Sequence, residues 1–163
     1  MHIIRFLLIL FLISSCQGQK TIEKTLERYN SGSVPYIKIE ELAEDEHAVR
    51  LDAREMEEFM VSHLPGAIWI GYKEFEPETV RNTIPNKNTE IVVYCSVGVR
   101  SEKIGEELKK AGYTNVKNLY GGIFGWKNAG YPVLDPNGNP TDKVHAFSKF
   151  WDHLLVKGVK VYE

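Results

Sequence analysis

Cys95 closes the run Ile91-Val92-Val93-Tyr94 and opens the stretch Cys95-Ser96-Val97-Gly98-Val99-Arg100. A thiol attacks as its thiolate, and the arginine five positions on supplies a positive charge that favours that form. The β-branched and aromatic run before the cysteine predicts a strand buried on both faces. After it, Ile104, Leu108 and Ala111 recur at helical spacing opposite Glu102, Lys103, Glu106, Glu107, Lys109 and Lys110, with Gly112 as a stop, so an amphipathic helix is expected over 101–111. Strand, loop and helix then put the thiol at the carboxyl edge of a sheet, beside a helix N-terminus worth roughly half a positive charge. No proline interrupts the loop. The backbone N–H groups of Ser96, Val97, Gly98, Val99 and Arg100 can therefore converge on an anion next to the sulfur, and Gly98 permits the curvature this requires.

The elements that must hold this loop alternate along the chain. Strands are expected over 36–39, 48–51, 67–70, 91–94 and 116–119, and helices over 40–44, 55–61, 76–83, 101–111 and 123–128. Such alternation predicts an α/β fold with a mainly parallel sheet flanked by helices on both faces. Asp52 and Arg54 follow a strand and belong on the same edge as Cys95. There Asp52 could hold Arg100 and Arg54 could attract an anionic donor, or the two could form an internal ion pair that orders loops. His63 is expected to pack in a turn rather than act as a base, since an ionised thiol needs none.

The motifs resemble those of the rhodanese homology domain, a sulfurtransferase family. Cys95-x-x-Gly98-x-Arg100 is similar to its active loop. Leu51-Asp52-Ala53-Arg54, Glu58-Phe59 and His63-Leu64-Pro65-Gly66-Ala67 are similar to its first signature, with Ser62 where the family often has glycine. Gly121-Gly122-x-x-x-Trp126-x-x-x-Gly130-x-Pro132-Val133 is similar to its C-terminal signature. The resemblance spans residues 34–133 and implies a ping-pong reaction: Cys95 takes sulfane sulfur from a donor anion such as thiosulfate, forms a persulfide, and passes the sulfur to cyanide or a thiol. Ser96, Val97, Gly98, Val99 and Arg100 would bind the donor, with Asp52 and Arg54 in support. Cys95 and Arg100 bracket four residues, whereas related phosphatases and arsenate reductases bracket five, so a cradle for tetrahedral phosphate is not expected. Rhodanese-like domains also serve as non-enzymatic binding or regulatory modules, which is the alternative reading.

The N-terminus points to a compartment. After Arg5, eight apolar residues run from Phe6 to Ile13, too few to cross a bilayer as a helix, and Ile13-Ser14-Ser15-Cys16 resembles the lipobox of bacterial lipoproteins. The expected organisation is a signal peptide over 1–15, a tether over 16–33 containing a helix over 22–29, the rhodanese-like domain over 34–133, and an extension over 134–163. In the extension, Val144, Phe147, Phe150, Trp151 and Leu154 have the spacing of a helix packed on the domain. The resemblance implies that Cys16 carries lipid and anchors an exported chain to a membrane of the bacterial cell envelope, on its periplasmic or surface face. Cys95 would then be the sole thiol of the mature chain. A lone thiol in an oxidising compartment suggests a reactive role, the alternative being a small buried apolar side chain.

Composition narrows the remaining classes. The 163 residues are 43% hydrophobic and 26% charged, the balance of one globular domain, and 20 Lys+Arg against 22 Asp+Glu give a net charge of −2 with no basic surplus for nucleic acid. No nucleotide-binding glycine fingerprint, P-loop or catalytic carboxylate pair is present, and His2, His47, His145 and His153 lack metal spacing with the cysteines. No cofactor or metal is expected.

Overall fold

The computed structural model describes residues 21–162. The signal peptide over 1–15, Cys16 and the first residues of the expected tether lie outside the described residues. A helix over 21–29, here α1, leads into β1 (Tyr36–Ile37), α2 (Ile39–Glu44), β2 (Val49–Asp52), α3 (Met56–Val61), β3 (Ile68–Trp69), α4 (Pro77–Thr83), β4 (Ile91–Tyr94), α5 (Val99–Lys110), β5 (Val116–Leu119) and α6 (Gly122–Asn128). The five strands form one parallel sheet in the order β1-β5-β4-β2-β3. This is the α/β architecture expected from the alternation, with each element within a few residues of its expected place.

β4 is central and buried throughout, which is why its sequence is apolar at every position. Its alternating side chains feed two cores. Ile91 and Val93 pack with Val34, Leu51, Ile70, Val80, Ile104 and Leu108 on one face, while Val92 and Tyr94 pack with Leu64, Leu119, Ile123, Phe124 and Trp126 on the other. The strand is thereby fixed in register from both sides, and Cys95 leaves its end in a defined position. Trp126 covers core as expected, with its indole N–H donating to the Pro132 carbonyl at 2.8 Å.

Two expectations about the ends need correction. The segment before residue 34 is not a free tether where it is described: Ile22 and Leu26 of α1 are buried in the second core. Glu102 of α5 accepts hydrogen bonds from the Ser31 and Ser33 N–H groups at 3.0 Å each, and Lys109 Nζ donates to the Ser33 carbonyl at 2.7 Å. The charged residues of α1, Glu23, Lys24, Glu27 and Arg28, face solvent as expected, while the backbone after the helix is pinned by α5.

Nor is the C-terminal extension a helix. It forms β6 (Val133–Leu134) antiparallel to β7 (Pro140–Thr141), β8 (Lys143–His145) parallel to β9 (Val159–Val161), and a 3-10 turn over Asp152–Leu154. The apolar spacing that suggests a helix arises because Val144, Leu154 and Leu155 reach the core from separate elements. Among the described residues, no helix is long and apolar enough to cross a membrane.

Candidate active site

Cys95 follows the last residue of β4 and is 1% exposed. Gly98 turns the chain with a φ of 111° and caps α5, so that Arg100 falls in the first turn of the helix. The Gly98 N–H donates to Cys95 Sγ at 3.2 Å. The Ser101 hydroxyl lies 3.5 Å from Sγ and 2.8 Å from Asn118 Oδ1, so one proton serves two acceptors. Asn118, buried on β5, donates in turn to the Gly98 carbonyl at 2.8 Å, and Asn30 after α1 donates to the same carbonyl at 2.9 Å. Three elements therefore fix the turn whose N–H faces the sulfur.

The other side of the loop is set by α6. Its Ile123 and Phe124 N–H groups, which have no partner inside their own helix, donate to the carbonyls of Cys95 and Ser96 at 2.9 and 3.0 Å. Gly122, at φ 56°, lets the helix come this close, since a Cβ there would collide with both carbonyl oxygens. With those carbonyls turned toward α6, the loop is held from outside by a helix end.

Arg100 does not pair with Asp52, contrary to one of the sequence expectations. Its partner is Glu58 of α3: Nη1 donates to Oε2 at 2.7 Å and Nη2 to Oε1 at 2.8 Å. Glu58 also accepts from the Ser96 hydroxyl at 3.0 Å and from the Glu55 N–H at 3.0 Å, while Arg100 Nη2 donates to the Ser96 oxygen at 2.9 Å. Asp52 and Arg54 instead realise the internal ion pair. Both are completely buried, with Arg54 Nη2 2.6 Å from Asp52 Oδ2 and 2.7 Å from the Ser62 carbonyl. Asp52 additionally accepts from the Tyr94 hydroxyl. Neither residue lines the cavity beside Cys95, so their part is to brace the strand ends. His63 stacks on Phe59 with ring centroids 4.2 Å apart, a packing role as expected.

The electrostatics favour an ionised sulfur. Burial pushes the thiol up, but the Arg100 charge, the Ser101 hydroxyl and backbone N–H, and the Gly98 N–H outweigh it and hold Cys95 below its ordinary value. Burial likewise pushes Glu58 up, and its Arg100 hydrogen bonds and charge hold it below the usual carboxylate range. The sulfur thus sits beside a Glu58–Arg100 ion pair in surroundings that favour its ionised form over the ordinary thiol.

A cavity of about 160 Å³ opens onto this sulfur, lined by the loop and by Phe147 and Trp151 of the extension. Ser96, Val97, Val99 and Arg100 line it, whereas Gly98 does not and instead donates its N–H to the sulfur. Sequence reasoning missed Glu58, Ser101 and the two aromatics as site residues. Glu58 was visible within a motif but not its partnership, which spans 42 positions. Among the described residues, no three His, Cys, Asp or Glu side chains gather in a way that could hold a metal ion.

The comparisons with known proteins agree with this geometry. A Bacillus subtilis protein named as a sulfur carrier, YrkF, is 36% identical over 101 residues, which are 60% of this chain and 53% of that protein. A thiosulfate sulfurtransferase of Actinobacillus succinogenes, GlpE, is 34% identical over 96 residues, 57% of this chain and 81% of that one. Among solved structures, a thiosulfate sulfurtransferase from Pseudomonas aeruginosa superposes with a TM-score of 0.57 at 29% identity, over 77% of this chain and 23% of that one. The chain thus spans about half of the Bacillus relative and about a quarter of the Pseudomonas structure. The family model for the rhodanese-like domain matches residues 38–129, more than half of the chain and the whole of the sheet from β2 to β5 with its loop. On these motifs, this fold and this match, the chain belongs to the rhodanese-like domain family.

Proposed function

We propose that the chain is a sulfurtransferase in which Cys95 carries sulfane sulfur as a persulfide between a donor such as thiosulfate and a thiophilic acceptor such as cyanide or a thiol. The observation that carries this reading is the buried Cys95 sulfur, which lines a cavity and is held below its ordinary thiol value by Arg100, Ser101 and Gly98. The Cys95 thiolate attacks the outer sulfur of thiosulfate, the S–S bond breaks, and its electron pair leaves with sulfite. The Gly98 N–H and the start of α5 stabilise the negative charge retained on the persulfide. Cyanide then removes the outer sulfur as thiocyanate and returns the thiolate. The Actinobacillus and Pseudomonas relatives bear the name of this activity.

The same proposal places the chain in the bacterial cell envelope, anchored through lipid on Cys16 and facing the periplasm or the exterior. Its support is the apolar run Phe6–Ile13 followed by Ser14-Ser15-Cys16.

The test is the intact mass of the full chain before and after thiosulfate, then after cyanide. One added sulfur atom on Cys95, removed with release of thiocyanate and absent in Cys95→Ser, is the expected result. A folded protein with a reduced thiol that gains no sulfur from thiosulfate, organic thiosulfonates or polysulfide would replace this reading with the non-enzymatic binding module.

A further inference from the structure

The extension over 134–163 lies beyond the family match over 38–129, yet it supplies one wall of the cavity at Cys95. β8 packs against α3, the helix that carries Glu58. Directly after β8 the chain turns so sharply that Phe147 adopts a φ of 63°, alone among the non-glycine described residues, with its N–H donating to His145 Nδ1 at 3.1 Å. A left-handed conformation at phenylalanine costs of the order of 1 kcal/mol and persists only where surrounding structure enforces it. The turn delivers the Phe147 ring to 4.5 Å from the Arg100 guanidinium carbon. Trp151 follows on the same rim, braced edge-on by Tyr29 of α1 at 5.6 Å and by Phe150 at 5.3 Å between ring centroids.

This wall changes what the cavity can hold. Among the described residues, Arg100 is the one cation lining it, and both its amino groups are already committed to Glu58 while Phe147 covers it. A dianion such as thiosulfate finds no unpaired positive charge there and loses hydration on entering. Apart from Ser96, whose hydroxyl is taken up by Glu58 and Arg100, the remaining lining is Val97, Val99, Phe147 and Trp151, a largely apolar surface that reaches the sulfur. An apolar cavity of about 150 Å³ is large enough to take up benzene, and this one is about 160 Å³.

Resting on the sulfurtransferase reading, the geometry points to a donor whose sulfane sulfur is carried by an aryl or comparably bulky apolar group, with Phe147 and Trp151 as the residues that select it. For an aryl thiosulfonate, R–SO₂–S⁻, the Cys95 thiolate attacks the terminal sulfur. The S–S bond of the donor breaks, its electron pair leaves with the sulfinate R–SO₂⁻, and the new bond gives the Cys95 persulfide anion, so charge and electrons balance without any further oxidant.

The experiment compares benzenethiosulfonate, methanethiosulfonate and thiosulfate as donors to the full chain with cyanide as acceptor, each rate normalised to that donor's reaction with 2-mercaptoethanol. Normalised kcat/KM is expected to favour the benzene compound over the methane compound by about tenfold or more, the discrimination that burial of a ring in an apolar site affords. Phe147→Ala and Trp151→Leu are each expected to lower that ratio several-fold. The ratio is internal to each protein and is read only from protein that loads methanethiosulfonate, so a misfolded variant is recognised and the other decides. A wild-type ratio near one, or a ratio unmoved in both variants, overturns the selection by the aromatic wall while leaving sulfur transfer intact. Failure of all three donors to load folded wild-type protein would instead overturn the sulfurtransferase reading itself.

Discussion

At Cys95 one charged neighbour decides whether the sulfur is a nucleophile. Burial disfavours the thiolate, and Arg100 heads the groups that reverse this. The sign follows directly: an acid held below its ordinary value is ionised over a wider range, so Cys95 stays reactive at pH values under the ordinary thiol value of about 8.5 and loses reactivity as pH falls through its lowered value. Arg100→Met removes the charge and leaves Glu58 buried without its cation, and both changes disfavour thiolate. The rate of Cys95 alkylation by iodoacetamide, followed against pH, should shift to higher pH, and at pH 7 it should fall roughly tenfold for each unit of that shift. Arg100→Lys should restore part of the effect, because an ammonium keeps the charge but not the two-pronged contact with Glu58. A profile unchanged in Arg100→Met would transfer the role to Ser101 and Gly98. The sequence displayed Cys95 and Arg100 plainly, since their spacing along one loop is local. It could not display that Glu58, rather than Asp52, meets Arg100, because that choice depends on how α3 is set against the end of β4.

At the level of elements, the loop is shaped as much by α6 as by its own residues. The two N–H groups of α6 that reach the Cys95 and Ser96 carbonyls hold the first two peptide planes of the loop. A methyl at Gly122 would force either α6 or the loop to retreat, breaking those hydrogen bonds and adding strain at a φ of 56°. Gly122→Ala is therefore expected to lose about 2–4 kcal/mol, from two hydrogen bonds and the backbone conformation together, measured by urea unfolding, and to slow sulfur loading of Cys95. Gly112→Ala is the control: its φ is 96°, but nothing lies within 4 Å of the added carbon, so it should cost about 1 kcal/mol and leave loading unaffected. Equal losses in the two variants would mean that backbone conformation, not the close approach of α6, is what Gly122 provides. The paired glycines were legible in the sequence as a place of close backbone approach. The surface being approached was not, because Gly122 and Cys95 meet only once β4 and β5 lie side by side.

At the scale of the whole molecule, the family-matched span is not the folding unit. Val144, Leu154 and Leu155 are essentially inaccessible to solvent and share a core with Leu64, Tyr94 and Phe124. Asn128 at the end of α6 donates to the Leu154 carbonyl at 2.8 Å and accepts from the Val156 and Lys157 N–H groups at 2.7 and 3.0 Å. The spacing of Val144, Phe147, Phe150, Trp151 and Leu154 imitates a helix, and this concealed the true arrangement. The alternation Val159-x-Val161 after Gly158 was the available signal for a strand, and its parallel partner β8 lies too far upstream for any hairpin signature. Because these residues close the core beneath the loop, ending the chain at residue 133 should do more than remove Phe147 and Trp151 from the rim. Each lost Val or Leu side chain removes about 1.5–3 kcal/mol of burial, and Asn128 is left with three unmade hydrogen bonds, so the total is comparable to the whole stability of a small domain, about 5–15 kcal/mol. The shortened chain is expected to melt at least about 10 °C below the full chain, or without a cooperative transition, when both are followed by circular dichroism. Hydrogen exchange should locate the loosening in α3, against which β8 packs, and in α6, whose Asn128 holds the extension. A shortened chain that melts within a degree or two of the full one would make the extension a peripheral layer, and its aromatic rim an addition to a domain already complete without it.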